Sequence, residues 1–290
     1  MTEPTTLTLE VPGAVLTYDV RRKEKSTEPV LLIIGSPMGA AGFLTLAGHF
    51  ADRTVVTYDP RSADRSQRTD GATETKVEEH ADDLHRLIEV LDAGPVDLFA
   101  SSGGAVNALA LVATHPEDVR TLVAHEPPSA TVLPDRDAIL AACRDIHETY
   151  QRSGFGPAMA KFIALVSTSG PIPSDYLDRQ APDPAMFGLP TTDDGSRTDP
   201  LVGQNMPSCN AYEHDFDALR AASTRIVLGV GEDSSQVMAG RAGTAVAERL
   251  GKSPVTFPGG HDGFLGGEYG QTGKPDEFAA KLRDVLAGNA

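Results

Sequence analysis

A serine lies between a predicted strand and a predicted helix, in a turn made of very small residues. The segment Ala100-Ser101-Ser102-Gly103-Gly104 fits the pattern small-x-Ser-x-Gly with Ser102 at its centre. Small neighbours are needed where a nucleophile sits on a sharp, strained turn between a strand and a helix. The pattern therefore predicts Ser102 as a nucleophile. A plain helix N-cap formed by these serines is the structural alternative.

A histidine in a glycine-rich loop is the predicted partner of this serine. His261 follows Pro258-Gly259-Gly260, after the last predicted strand and before a final helix at about Asp276 to Leu286. An imidazole in hydrogen-bond reach of a serine can take its proton and so activate it. We therefore expect His261 to be the general base.

The acid that would orient this histidine has two candidate positions. In one common arrangement the acid stands at the third position after a glycine that follows a late strand, but Gly231 is followed there by Ser234, with Glu232 and Asp233 as near misses. Glu126 ends an earlier strand, and the two prolines after it restrict the local backbone. We favour Glu126 and keep Asp233 or Glu232 as the alternative. A salt-bridged hinge residue is the plainer interpretation of Glu126.

Two backbone amides are predicted to stabilise a negatively charged oxygen. The N–H of Gly103 lies at the head of the predicted helix, where the helix dipole also favours negative charge. The second is assigned by position to Ser36, in the loop that follows the third predicted strand.

The elements that must position these residues are read from hydrophobic patterns. Two alternating segments, Thr6 to Glu10 and Val15 to Val20, predict an antiparallel hairpin. Short β-branched or apolar runs then alternate with helical segments, which predicts an α/β architecture with a mostly parallel, eight-stranded sheet. These runs are Val30 to Ile34, Thr54 to Tyr58, Val96 to Ala100, Val119 to Ala124, Arg225 to Val230 and Val255 to Phe257.

One predicted helix, from about Glu74 to Leu91, carries two histidines. His80 and His85 are five residues apart, which does not match the usual ligand spacing on a helix, so both are expected to be solvated and no metal site is predicted. Asp83 is placed on the same polar face.

The alternation breaks between residues 129 and 220. Helices predicted at Asp135 to Arg152 and Pro157 to Thr168 are followed by a proline-rich stretch, and a loop of this length is expected only in a lid or binding loop. We predict a core domain of residues 1–128 and 221–290 with an inserted helical cap of residues 129–220. The predicted substrate pocket is lined by Met38, Leu133, Met159, Phe187, Met206 and Phe264, although for Met159 core packing is the favoured interpretation.

Composition restricts the partners. The chain of 290 residues has a formal net charge of −16 and two cysteines. This charge argues against binding to nucleic acid. The longest apolar run, Val30 to Ile34, is too short to cross a bilayer. Two cysteines without disulfide or metal spacing, and no visible signal peptide, favour the cytoplasm. We expect a monomer or homodimer.

Taken together, these segments resemble the α/β-hydrolase superfamily over essentially the whole chain. Within it, Ser101-Ser102-Gly103, His125-Glu126 and Pro258 to His261 are similar to motifs of the zearalenone lactonases. That resemblance implies a Ser-His-Glu triad of Ser102, His261 and Glu126 with oxyanion amides at Ser36 and Gly103. Those lactonases also have a cap tryptophan that contacts substrate, whereas this chain has no tryptophan.

The expected function is hydrolysis of a carboxylic ester or lactone through an acyl-enzyme, with a macrolactone such as zearalenone among the candidate substrates. No cofactor is expected. A cofactor-free lyase, cyclase or perhydrolase would use the same serine, and an inactive hydrolase relative could act as a ligand receptor.

Overall fold

A central β-sheet organises the protein, and the computed structural model describes residues 3–289 of it. Eight strands follow the order β1-β2-β4-β3-β6-β7-β8-β9, and a two-residue strand, β5, pairs with the side of β2. The pairs β1–β2 and β2–β4 are antiparallel, and all pairs from β4 to β9 are parallel. The mostly parallel, eight-stranded path matches the prediction, whereas β5 was not predicted. The strands are Thr5–Val11, Ala14–Arg21, Leu31–Ile34, Val55–Asp59, Gln67–Arg68, Val96–Ser101, Val119–His125, Arg225–Gly231 and Val255–Phe257.

Nine α-helices occur in the described residues. They are α1 Leu44–Gly48, α2 Val77–Leu91, α3 Gly103–Thr114, α4 Arg136–Ser153, α5 Phe155–Val166, α6 Met206–Cys209, α7 Phe216–Ala221, α8 Met238–Arg249 and α9 Pro275–Leu286. No helix among residues 3–289 combines the length and the apolar character that a bilayer crossing requires.

Helices cover both faces of the sheet, which explains the continuous apolar runs. In β3, Leu32 and Ile34 pack in one apolar cluster with helices α2, α3 and α8, whereas Leu31 and Ile33 pack in another with α1 and α9. Side chains alternate between the faces of a strand, so a strand that is buried on both faces needs apolar residues at every position.

Helix α2 begins at Val77, later than predicted, and buries part of its polar face. The backbone N–H of Lys76 donates to the Glu79 carboxylate, 2.8 Å away, and fixes the start of the helix. Asp83 is fully buried and accepts two hydrogen bonds from Arg61. His80 is only 2% exposed. The prediction of a solvated face was therefore wrong for both, because the loop after β4 and a distant segment near residue 205 cover them.

Residues 126–224 connect β7 to β8 and contain α4, α5, α6 and α7. The apolar sides of α4 and α5 pack together around Ile146 and Tyr150 in a cluster of their own. Met238 and Ala242 of α8 join this cluster and connect it to the rest of the molecule. The proline-rich stretch forms short 3-10 turns, followed by one wide π-helical turn, Pro200–Asn205.

Candidate active site

Ser102 is the predicted nucleophile and occupies the turn between β6 and α3. Its backbone has φ 57° and ψ −130°, a conformation that costs energy for a non-glycine residue and persists where surrounding structure enforces it. The Ser102 N–H donates to the carbonyl of His125 on β7, 3.0 Å away. The turn is therefore held against the neighbouring strand, and Ser102 stays partly exposed at the carboxyl edge of the sheet.

His261 lies in the loop after β9 and contacts the predicted acid. Its Nδ1 is 2.6 Å from Oε2 of Glu126. Glu126 directly follows β7, has φ 49° and is fully buried. Because the carboxylate accepts the Nδ1–H, the tautomer with a free Nε2 is favoured, which is the nitrogen that a general base uses.

The second oxygen of Glu126 has its own donors. Oε1 accepts hydrogen bonds from the Gly231 N–H, 2.8 Å away, and from the Ser234 hydroxyl. Ser234 stands at the other position considered for the acid, and its hydroxyl instead donates to the predicted acid, Glu126. The sequence identified the unusual serine but not its contact with Glu126, which joins two segments more than a hundred residues apart.

Electrostatics keep Glu126 ionised. Burial by itself would raise the pKa of Glu126, but hydrogen bonds from His261 and Ser234 outweigh burial and lower that pKa to about 2. Burial also disfavours the charged form of His261, yet the adjacent Glu126 carboxylate more than compensates and leaves the pKa of His261 raised. At neutral pH the carboxylate is therefore charged and stabilises an imidazolium beside it.

The alternative acids lie elsewhere. The Asp233 side chain is 66% exposed and approaches Lys274 at 4.0 Å, and Glu232 also pairs with Lys274. Among residues 3–289, neither carboxylate hydrogen-bonds to His261, which instead contacts the Glu126 carboxylate.

The two predicted oxyanion amides lie on segments that touch. A Cβ added to Gly103 would come within 2.5 Å of the Ser36 carbonyl oxygen, and one added to Gly104 within 2.8 Å of Gly35 Cα. Only glycine permits this approach of α3 to the loop after β3. Neither the Ser36 N–H nor the Gly103 N–H has an acceptor within residues 3–289, so both remain available to a substrate oxygen.

A buried polar chain supports the Ser36 loop, and sequence reasoning missed it. Asn205 donates through Nδ2 to Ser36 Oγ at 3.0 Å, and its Oδ1 accepts from His80 Nε2 at 3.3 Å. Burial lowers the pKa of His80 to about 4, so at neutral pH the ring is neutral. The local backbone gives one indication that Asn205 has a functional role. Asn205 ends a π-helical turn, and such turns are frequent at functional sites.

One cavity of about 220 Å³ contains Ser36, Ser102, Gly103 and His261. The rest of its wall is mostly apolar and comes from β7–β8 connecting residues and the start of α8. These residues are Pro128, Phe162, Val166, Leu201, Asn205, Met206, Cys209, Asn210, Val237, Met238 and Ala239.

Of the six predicted pocket residues, only Met206 lines this cavity. Leu133 and Met159 pack in the apolar cluster of α4 and α5, and Phe264 stacks on Phe43 in the cluster that contains α1 and α9. Met38 packs against this second cluster, and Phe187 is 41% exposed on a 3-10 turn. The sequence seldom shows whether an apolar side chain lines a cavity or packs in the core.

A family model and a related protein both indicate the same protein family for this chain. Residues 28–194 match the family described as alpha/beta hydrolase fold. An uncharacterized hydrolase of Bacillus subtilis, YraK, is 30% identical over 285 residues, covering 96% of this chain and 95% of that protein.

Solved structures share the whole architecture at lower identity. The enol-lactonase of Burkholderia xenovorans LB400 is 16% identical with a TM-score of 0.66, covering 97% of this chain and 100% of that one. A thermophilic esterase of Thermogutta terrifontis is 19% identical with a TM-score of 0.68, covering 99% of each chain. At these identities the likeness concerns the fold.

Proposed function

The chain belongs to the α/β-hydrolase family, and we propose that it is a serine hydrolase that cleaves a carboxylic ester or lactone. Family membership confirms the fold class expected from the sequence. One observation carries the proposed activity: His261, held by the buried Glu126 carboxylate, shares a mostly apolar cavity with Ser102.

The proposed reaction begins when Ser102 Oγ attacks the carbonyl carbon and His261 Nε2 takes the hydroxyl proton. The carbonyl oxygen becomes an oxyanion, which accepts hydrogen bonds from the Ser36 and Gly103 amides. Collapse of the tetrahedral intermediate breaks the bond to the leaving oxygen, which receives the proton from His261. An acyl group is then bound to Ser102 Oγ.

Water completes the proposed cycle. His261 takes a proton from a water molecule that attacks the acyl carbon, and a second tetrahedral intermediate releases the carboxylic acid and restores Ser102. Glu126 remains ionised in both halves and stabilises the imidazolium by charge and by the Nδ1 hydrogen bond. These residues supply every proton transfer, so the proposal uses no cofactor.

The cavity supports the substrate class. Its wall is mostly apolar, with the amides of Asn205 and Asn210 as the side-chain polar groups outside the predicted machinery. An uncharged acyl group fits such a wall better than a carboxylate or ammonium group, whose burial without a partner is costly. Residues 129–220, which provide much of this wall, are proposed as the cap, and a macrolactone is one candidate within the class.

Hydrolysis of short p-nitrophenyl esters tests the proposal. Ser102→Ala should reduce kcat to near the background rate, because the acyl acceptor is lost. Ser101→Ala is the matched control, since the neighbouring hydroxyl lies against His125 Nδ1 at 3.3 Å instead. Ester turnover that persists in Ser102→Ala, or that is absent from the wild-type protein across ester and lactone substrates, would refute the proposal.

A fluorophosphonate probe separates an enzyme from an inactive receptor. The wild-type protein and Ser101→Ala should become covalently labelled at Ser102, whereas Ser102→Ala should not. Failure of the wild-type protein to label would favour the receptor.

Hydrolysis in water enriched in heavy oxygen separates a hydrolase from a lyase or cyclase. A hydrolase should place one heavy oxygen in the released acid, whereas a product without heavy oxygen would indicate a lyase or cyclase.

A further inference from the structure

Two histidines and an aspartate meet on the surface of the molecule, away from the cavity. His85 lies on α2, His115 directly follows α3, and Asp118 precedes β7. One ligand atom from each can be chosen so that all lie within 4.8 Å of one another. His85 Nδ1 is 2.6 Å from Asp118 Oδ2, and the imidazole rings are stacked with centroids 3.8 Å apart.

This cluster lies at the opposite edge of the sheet from Ser102. Asp118 comes just before β7, whereas Glu126 comes just after its other end. A strand of seven residues spans about 20 Å, so no group of the proposed catalytic machinery takes part in the cluster. The spacing of His80 and His85 on one helix indicated no metal site, because the second histidine of this cluster comes from another element.

We propose that His85, His115 and Asp118 form a binding site for a divalent transition metal of the zinc class. Two imidazole nitrogens and one carboxylate oxygen form a ligand set that Zn²⁺ takes in proteins, with a fourth position left for water. Two further carboxylates surround the site, with Glu89 3.7 Å from His85 Nε2 and Glu117 3.4 Å from His115 Nδ1. The local negative charge favours a cation.

Metal binding requires a small adjustment of the side chains. Ligand atoms around a tetrahedral zinc ion lie about 3.3 Å apart. His85 Nδ1 and Asp118 Oδ2, which are 2.6 Å apart, must therefore separate slightly, whereas ligand atoms as far as 4.8 Å apart must draw together. The stacked rings must also fan apart, to about 5 Å between centroids, for two nitrogens to point at one ion. Both rings are partly exposed, at 21% and 35%, which leaves room for that rotation without disturbing the core.

Isothermal titration of the full chain with ZnCl₂, after treatment with EDTA, tests the site. We expect one Zn²⁺ per chain and a loss of roughly a hundredfold or more in affinity for the double variant His85→Ala/His115→Ala. His49→Ala is the matched control, because His49 also lies near a carboxylate, Asp276, at 3.4 Å. Absence of binding by the wild-type protein, or full affinity in the double variant, would overturn the proposal.

Two further measurements test whether the double variant folds and which residues bind the metal. The double variant should keep the wild-type Tm in EDTA and its ester hydrolysis, which shows that it folds, while only the wild-type protein gains several degrees in Tm on adding Zn²⁺. Co²⁺ should give the intense visible bands of a four-coordinate ion in the wild-type protein and in His261→Ala. Bands that vanish in His261→Ala and survive in the double variant would place the metal at the cavity and refute the proposed ligands.

Discussion

Glu126 reaches His261 from a different strand than the usual acid would, and its neighbours make that arrangement stable. A buried carboxylate without partners would be costly, but His261, Gly231 and Ser234 donate to its two oxygens. Ser234, in the customary acid position, is thus a donor to Glu126, the acid that we propose in its place. A departure from a family pattern at one residue is compensated by a small polar side chain more than a hundred positions away.

Glu126→Gln should lower kcat by roughly a thousandfold or more, while KM changes little. The amide keeps the shape but removes the charge that stabilises the imidazolium, and it can present an N–H to Nδ1 and so favour the wrong tautomer. Steady-state kinetics on a p-nitrophenyl ester measure the effect. Asp233→Asn is the control and should stay near wild type. If Asp233→Asn were the crippled variant, the acid would be assigned wrongly.

The pH dependence of kcat/KM should report His261. A general base must be neutral, and the pKa of His261 is raised by Glu126, so activity should fall with decreasing pH through a value above 6.5. Removing the carboxylate charge in Glu126→Gln should move this acid limb to lower pH. Rate profiles between about pH 5 and 9 locate the acid limb in both proteins. An acid limb at the same pH in both proteins would contradict the pairing.

At the scale of elements, the site depends on how closely α3 approaches the loop after β3. Glycine at 103 and 104 lets the two backbones touch, and the loop is fixed from its other side by Asn205 through Ser36 Oγ. Sequence reasoning identified the strand–turn–helix around Ser102 because its signal is local. It could not identify Asn205, whose partners Ser36 and His80 lie in distant segments.

Asn205→Ala should lower kcat by roughly tenfold with a smaller change in KM. Asn205 is a positioning residue: its loss frees the Ser36 side chain and loosens one oxyanion amide, whereas loss of an oxyanion donor itself costs about a hundredfold or more. The variant should also lose about 1–3 kcal/mol of stability, because the His80 N–H is left without its acceptor.

Gln204→Ala provides the matched control for Asn205. Gln204 belongs to the same turn and accepts a hydrogen bond from Thr75, 3.2 Å away, but the hydrogen bond to Ser36 Oγ comes from Asn205. It should lose stability without the fall in kcat. Equal kinetic effects in the two variants would mean that the turn matters only for folding.

At the scale of the whole molecule, sequence patterns were sufficient for the eight-stranded path of the sheet and insufficient for the cavity. Strands that are buried on both faces need apolar residues throughout, so runs such as Leu31–Ile34 are visible in the sequence. The cavity wall is assembled from the long connection between β7 and β8, where only Met206 was predicted. Which side of a connecting helix faces the cavity depends on tertiary packing, and apolar periodicity does not contain that information.

The same burial that hides polar groups from sequence analysis should make stability depend on acid pH. Burial lowers the pKa of His80, His125 and His214 to about 4, whereas histidines of the unfolded chain protonate near pH 6.5. Between these values the unfolded state binds more protons, so lowering the pH through this window reduces stability, by up to about 3 kcal/mol per histidine. His85 and His261 have raised pKa values and act above pH 6.5, in the opposite direction.

Urea unfolding at pH values from about 7 to 4.5 measures this dependence, and His214→Gln isolates one contribution. His214 is 8% exposed, and its Nε2 lies 2.8 Å from the Ser129 hydroxyl, a bond that glutamine can replace. The variant should therefore lose less stability than the wild type on acidification, whereas the more exposed His49→Gln should behave like the wild type. If the slopes of all three proteins coincide, buried neutral histidines do not set the acid limit, and carboxylates such as Glu126 must account for it.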